Sequence, residues 1–216
     1  AGHRAIVVSA PGKMVSELNM PGARHIPLAV GAKRPGSIIH ILALRNIIRN
    51  ERVDVVHARS RLPAWLAYLA LRTLPDKNRP AWLTTVHGPY TVNRYSRIMV
   101  SGDSVIAISH YIKNYIRASY PEIDGDRIYV MPRGVKRSDF HFRFAPSLTW
   151  LKAFEQDHPQ FHGKEVLTLP GRLTRWKGQL GFIDLMAALR RRGRPVHGLI
   201  VGGAHRVKKG FHNWTP

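Results

Sequence analysis

The sequence predicts an α/β fold with parallel sheets, and three observations carry that prediction. Short runs rich in β-branched residues, apolar on both faces, recur along the chain. Longer stretches with apolar residues at three- and four-residue spacing separate several of them. Histidine, arginine and glycine collect just past the ends of the strand-like runs, where open parallel sheets bind ligands. Strands apolar on both faces and interleaved with helices belong in a parallel sheet covered on both sides.

The elements follow in order. "RAIVVSA" (4–10), "HIPLAV" (25–30), "VDVVHA" (53–58), "AWLTTVHG" (81–88), "DSVIAIS" (103–109) and "RIYVMP" (127–132) read as strands. "SIIHILALRNIIRN" (37–50), "LPAWLAYLALRTL" (62–74) and "HYIKNYIRASY" (110–120) read as helices. The pattern breaks at the irregular "RSDFHFRFAPS" (137–147), and "LTWLKAFEQDH" (148–158) reads as a linking helix. A second unit then opens with strand "EVLTLP" (165–170), a helix from about Lys177 to Arg192, and strand "VHGLIVGG" (196–203). The expected organisation is a Rossmann-like domain over 1–146, a linker over 147–162, and the start of a second such domain over 163–216. The tail "AHRVKKGFHNWTP" has no periodicity.

Composition narrows the function classes. Thirty-four Lys and Arg against thirteen Asp and Glu give a net charge of +21, which calls for an anionic partner: nucleic acid, a phosphorylated small molecule or an acidic membrane surface. Cysteine is absent, so disulfides, thiolate catalysis and cysteine-ligated zinc are excluded. No apolar run approaches the roughly 18 residues of a membrane span, so any membrane contact is expected to be peripheral. The twelve histidines are scattered. The close pair His158 and His162 is interrupted by Pro159 and lacks partner ligands, so no metal is expected. Gly202 and Gly203 do not make a dinucleotide fingerprint.

The candidate site residues stand at strand ends. His57, Ser60 and Arg61 follow the third strand; His87 and Gly88 follow the fourth; Arg133 and Gly134 follow the sixth. For His57, Ser60 and Arg61 strand-end packing accounts for the pattern as well as ligand contact does, and Arg133 reads equally as a surface cation. "LTLPGRLTRWKGQ" (167–179) is the most informative stretch. Gly171 permits a tight turn and close backbone approach, and Arg172 and Lys177 place two full charges where a helix begins. A cation at a helix N-terminus is unfavourable by about 0.3–1 kcal/mol on its own, and a bound anion would reverse that sign. A solvated basic face is the plainer alternative; the strand–Gly–Arg–helix context favours an anion site. Trp176 reads as packing and Arg175 as solvent-facing.

"LPGRLTRWKGQLGFIDLMAAL" resembles the donor-binding segment of glycosyltransferase family 4, retaining enzymes of the GT-B fold. "VDVVHARSRLPAWLA", "TTVHGPY", "SRIMVSGDSVIAISHYIKNYI" and "RIYVMPRGVKRSDF" resemble further segments of that family in the same order, over nearly all of residues 2–202. The similarity is strongest to the bacterial branch that builds lipopolysaccharide core and related cell-envelope glycans. The resemblance implies two Rossmann-like domains facing each other across a cleft, the C-terminal one incomplete here. It implies that Gly171, Arg172 and Lys177 hold the donor diphosphate, that His87 lies near the donor sugar as the catalytic residue, and that Gly88, Arg133, Gly134, His57, Ser60 and Arg61 line the cleft. It implies metal-independent sugar transfer with retention, with no cofactor beyond the nucleotide-sugar substrate, and it leaves the nucleophile unassigned.

Further expectations follow from the resemblance together with the charge. The partners are a nucleotide-sugar donor, a glycan or lipid-linked acceptor and an anionic membrane, at the cytoplasmic face of the inner membrane. Nucleic acid is disfavoured because the cations are spread over helices, turns and tail and no nucleic-acid motif is present. The competing class is a basic nucleic-acid- or membrane-binding module without catalysis. The chain looks truncated at both ends, and expressed alone it is expected to lack efficient sugar transfer.

Overall fold

The computed structural model describes residues 2–18, 21–32, 35–135, 137, 140, 142–174 and 177–203. The chain divides into two compact units, Ala1–Val135 and Lys136–Pro216.

In the first unit β1 (Ala5–Ser9) and β2 (Ala23–Pro27) pair in parallel as a small sheet of their own. A second parallel sheet runs in the order β3 (Val55–Ala58), β4 (Ala81–Val86), β5 (Ser104–Ala107), β6 (Ile128–Val130). The sequence pattern predicts all six strands, but in one sheet. It reports which strand faces are apolar and says nothing of which edges hydrogen-bond, so the division into two sheets is not readable from it. Val8 and Leu28 still pack on the core that the larger sheet shares with its helices.

Three helices cover that core. α1 (Ile39–Asn50) follows a short 3₁₀ turn and buries Leu44 and Ile48, one turn apart. α2 (Arg61–Arg72) buries Ala64, Ala67 and Ala70, whose small side chains at three-residue spacing allow close approach. Pro63 lies in its first turn, where a missing N–H costs nothing. α3 (His110–Ser119) begins at Ser109, whose hydroxyl accepts from the Ile112 N–H at 3.3 Å, and buries Ile112 and Ile116. A 3₁₀ turn at Ser96–Val100 places Met99 and Val100 among the most deeply buried side chains.

Around the start of β5 several polar groups are tied together by hydrogen bonds, while the buried Thr84 hydroxyl has no partner among the described residues. The Trp82 amide donates to the Asp103 carboxylate at 2.7 Å, the Trp82 indole to the Ser101 hydroxyl at 3.1 Å, and Arg127 Nε to the Asp103 carbonyl at 3.1 Å. Gly102 is required there: a Cβ would fall 2.4 Å from the Ser104 carbonyl oxygen and 2.9 Å from Thr84 Oγ1. The opposite, carboxyl ends of the strands carry the histidines.

The second unit is a βαβ arrangement, as its sequence predicts. β7 (Glu165–Pro170) and β8 (Val196–Val201) pair in parallel from Glu165↔Val196 to Pro170↔Val201, joined through α5 (Gln179–Arg191). Gly198 lets α5 pack on β8, since a Cβ would meet Met186 at 3.0 Å and Phe182 at 3.2 Å. α4 (Leu148–Asp157) starts at Ser147, which accepts from the Trp150 N–H at 3.2 Å. Trp150 stacks on Phe154, Phe154 contacts His158 and Phe161, and His197 and Phe161 meet in a T-shaped contact. Among the described residues Val196 is the one buried apolar side chain of this unit, so its core is thin beside that of the first.

Candidate functional site

In the first unit the residues past β3, β4 and β6 come together. The parallel register sets His57 opposite Leu83, so its side chain shares a face with Thr85 two residues further along β4. The His57 Nε2 and Thr85 hydroxyl are hydrogen-bonded at 2.6 Å. His87 follows β4 directly, and its Nδ1 lies 2.6 Å from a terminal guanidinium nitrogen of Arg133. Arg133 follows β6 and so reaches past the intervening strand β5.

Both histidines are held neutral. Partial burial and then the Arg59 guanidinium push His57 below the usual imidazole range. For His87 partial burial, followed by Arg133, Arg59 and His57, lowers the pKa to about 4. Arg59 has no carboxylate partner among the described residues, so its charge acts on the histidines uncompensated.

The loop after β4 is anchored by aromatic and arginine contacts. The Tyr90 hydroxyl accepts from the His87 amide at 3.4 Å, and the Tyr115 hydroxyl donates to the Tyr90 carbonyl. Arg61 lies 5.3 Å from the ring centres of both Tyr90 and Tyr95 and donates to the Ser96 hydroxyl at 3.2 Å. The Trp65 indole donates to the Tyr95 carbonyl at 3.0 Å. Arg61 therefore grips the loop that carries His87. Ser60 precedes α2 without its side chain capping the helix. Gly88 and Gly134 have open space where a Cβ would stand, which leaves room for a ligand beside the backbone.

The basic turn of the second unit is built by strand ends. The Gly171 amide donates to the Val201 carbonyl at 2.8 Å, and the Leu173 amide to the Gly203 carbonyl at 3.4 Å. Gly202 passes so close to the turn that a Cβ would lie 1.8 Å from the Gly171 carbonyl oxygen. Lys177 lays its stem over Gly171, where a Cβ would touch it at 3.8 Å. The Gln179 side-chain amide donates to the Arg172 carbonyl at 2.9 Å, tying the turn to the first residue of α5. The helix starts at Gln179, two residues later than its apolar spacing suggests, because Gly178 takes the left-handed conformation at φ 81°. Arg172 and Lys177 are exposed and have no ion-pair partner among the described residues. Arg175, Trp176 and the tail 204–216 lie outside the described residues.

Hence the structure gathers His57, His87 and Arg133 in the first unit and Gly171, Arg172 and Lys177 in the second. Sequence reasoning passed over Thr85 and Tyr90, although both stand in "TTVHGPY". It also read Gly202 only as a failed nucleotide fingerprint, when its role is to let β8 pass the turn. No three His, Asp or Glu side chains are placed to hold a metal ion among the described residues.

Residues 1–139 match the profile of Glycosyltransferase Family 4. Among solved structures, a glycosyltransferase from Rickettsia africae ESF-5 is similar with a TM-score of 0.72 and 32% identity, over 93% of this chain and 52% of that one. UGT89C1 of Arabidopsis thaliana, complexed with UDP, is similar with a TM-score of 0.49 and 15% identity, over 100% of this chain and 64% of its own. The chain thus spans about half the length of the Rickettsia protein. No curated protein matches it significantly by sequence.

Proposed function

This chain belongs to glycosyltransferase family 4, its parallel α/β architecture is of the GT-B type, and from that premise we propose that it serves sugar transfer from a nucleoside-diphosphate donor to a lipopolysaccharide or other cell-envelope glycan. The transfer proceeds with retention and without a metal ion, as expected of a hexosyltransferase of the branch the motifs resemble. The observation that supports this reading most is the β7–α5 turn. This turn, which carries the two cations Arg172 and Lys177, is held by strand-end backbone hydrogen bonds, and the cations are exposed and lack carboxylate partners among the described residues.

The chemistry follows from charge. When the bond between the sugar and the diphosphate breaks, negative charge grows on the departing phosphate oxygens. Cations standing beside those oxygens stabilise that charge as it develops. Arg172 supplies a planar fork suited to phosphate, and Lys177 a compact point charge. Within the first unit, His87 presents an imidazole kept toward its neutral form beside Arg133 and Arg59.

The net charge of +21 supports a further element of the reading, peripheral contact with the anionic cytoplasmic face of the inner membrane. Each Lys or Arg near such a surface contributes about 1 kcal/mol. Among the described residues no helix is long and apolar enough to cross a membrane.

Calorimetric titration with UDP-, ADP- and GDP-sugars tests the donor site. Binding of at least one, competed by the corresponding nucleoside diphosphate, is the expected result. Binding of none would overturn the reading.

A further inference from the structure

We propose that Arg133 is a positioning residue that sets the tautomer of His87, so that the imidazole meets its ligand as a fixed, neutral Nε2–H donor. The proposal rests on the reading that this sheet end takes part in sugar transfer, and it names what the end presents. The reasoning starts from hydrogen-bond inventory. Arginine has five donors, no acceptor, and stays protonated at any working pH. A guanidinium nitrogen 2.6 Å from His87 Nδ1 therefore requires a lone pair on Nδ1. The proton of the neutral ring must then sit on Nε2.

The surroundings keep it there. The charged and titratable groups facing the ring are Arg133 beyond β6, Arg59 and His57 at the end of β3, and the Tyr90 hydroxyl on the ring's own loop. None of them carries negative charge at neutral pH, so nothing in this set favours a second proton on the ring. Partial burial acts in the same direction, consistent with a pKa lowered to about 4. The backbone beneath the ring is fixed as well, through the His87 amide to Tyr90 and through the contacts of Arg61 with Tyr90 and Tyr95.

Two consequences distinguish this arrangement from a histidine base. With Nδ1 occupied by Arg133 and Nε2 protonated, His87 has no free lone pair with which to take a proton from an acceptor hydroxyl. It can donate one neutral hydrogen bond, and among the described residues Nε2 has no partner. The matching ligand atom is a hydrogen-bond-accepting oxygen, and we assign it to a sugar hydroxyl, on either the donor sugar or the acceptor glycan. Arg133 would act on that oxygen through the imidazole, which makes it a positioning group and leaves the contact to His87.

Histidine-selective nitrogen-15 NMR on the full chain tests the tautomer directly. The expected spectrum at pH 7 shows His87 with a bare Nδ1 and a protonated Nε2, and a titration midpoint well below the ordinary 6.5. Arg133→Ala should mix the two tautomers and move the midpoint toward 6.5. Arg133→Lys, which keeps a charge and a donor, should restore most of the original pattern. A protonated Nδ1 in the wild type, or an Arg133→Ala spectrum identical to wild type, would overturn the proposal. Adding UDP-glucose or a lipopolysaccharide core oligosaccharide then shows whether donor or acceptor sugar moves the Nε2 signal. Movement by neither would overturn the assignment of Nε2 to a sugar hydroxyl. Failure of every nucleotide to bind in calorimetry would instead strike the donor reading, and the nitrogen spectra would still decide the tautomer.

Discussion

Replacing Gly202 with alanine would put a methyl group 1.8 Å from the carbonyl oxygen of Gly171, backbone against backbone. Neither atom belongs to a flexible side chain, so relief requires the end of β8 or the basic turn to move by more than about 1 Å. That displacement disrupts the bonds from the Gly171 amide to Val201 and from the Leu173 amide to Gly203. Losing two backbone hydrogen bonds costs about 1–3 kcal/mol, and overpacking adds a comparable amount. Arg172 moves with the turn. If its charge-assisted bond to a phosphate is lost, affinity for nucleoside diphosphate drops by about 1.5–3 kcal/mol, roughly 10- to 150-fold. Gly203→Ala is the matched control, because a Cβ there meets nothing within 4 Å. The assay is thermal unfolding together with calorimetric titration by UDP for both variants. Wild-type stability and affinity in Gly202→Ala would refute the claim that this contact shapes the turn.

Four further outcomes are expected. Gly102→Ala should destabilise the first unit by about 1–3 kcal/mol, read as a lower urea midpoint, because its Cβ would fall 2.4 Å from the Ser104 carbonyl oxygen. Stability should fall as pH drops from about 6.5 toward about 4, since His87 is lowered in the folded state and the unfolded chain takes up the proton first; below that range the loss is complete. The ring is only partly buried, so solvent screens part of the effect, and the difference between wild type and His87→Gln across that window should be about 1–2 kcal/mol; no difference would contradict the shift. Arg172→Ala and Lys177→Ala should each weaken nucleoside-diphosphate binding roughly 10- to 150-fold, and Arg175→Ala much less. Sedimentation with vesicles should show binding to anionic lipid that high salt removes, and equal binding to neutral lipid would count against an electrostatic attachment.

Much of the fold was legible because its elements have strong periods. The strand "EVLTLP" runs over Glu165–Pro170 as read, and the helices of the first unit begin and end within two residues of their apolar spacing. What escaped has physical reasons. The turn at Ser96–Val100 is too short to display a period, yet it fills the core with Met99 and Val100. The split of β1–β2 from the larger sheet depends on edge pairing, which apolarity does not encode. At the site, the placement of His87 and Arg133 at strand ends was visible, but their pairing joins residues 46 apart across an intervening strand. It follows from the order β4-β5-β6, which no local pattern contains. Arg61 shows the reverse case. Its position suggested a ligand contact or strand-end packing, and the structure engages it with Tyr90, Tyr95 and Ser96.

If the β7–α5 turn holds a nucleoside diphosphate through two specific cations, and not through the general positive charge of the chain, removing those two costs more affinity than removing any other two. A charge-matched pair of double variants makes the comparison. Arg172→Ala/Lys177→Ala removes the turn's cations, while Arg190→Ala/Arg191→Ala removes two from the far end of α5. Both lower the net charge by the same amount. Titrated with UDP at constant ionic strength, the first should lose at least about a hundredfold in affinity and the second less than about threefold, since a distant exposed charge is largely screened. Equal losses in the two double variants would mean that the general charge, and not the turn, carries the affinity.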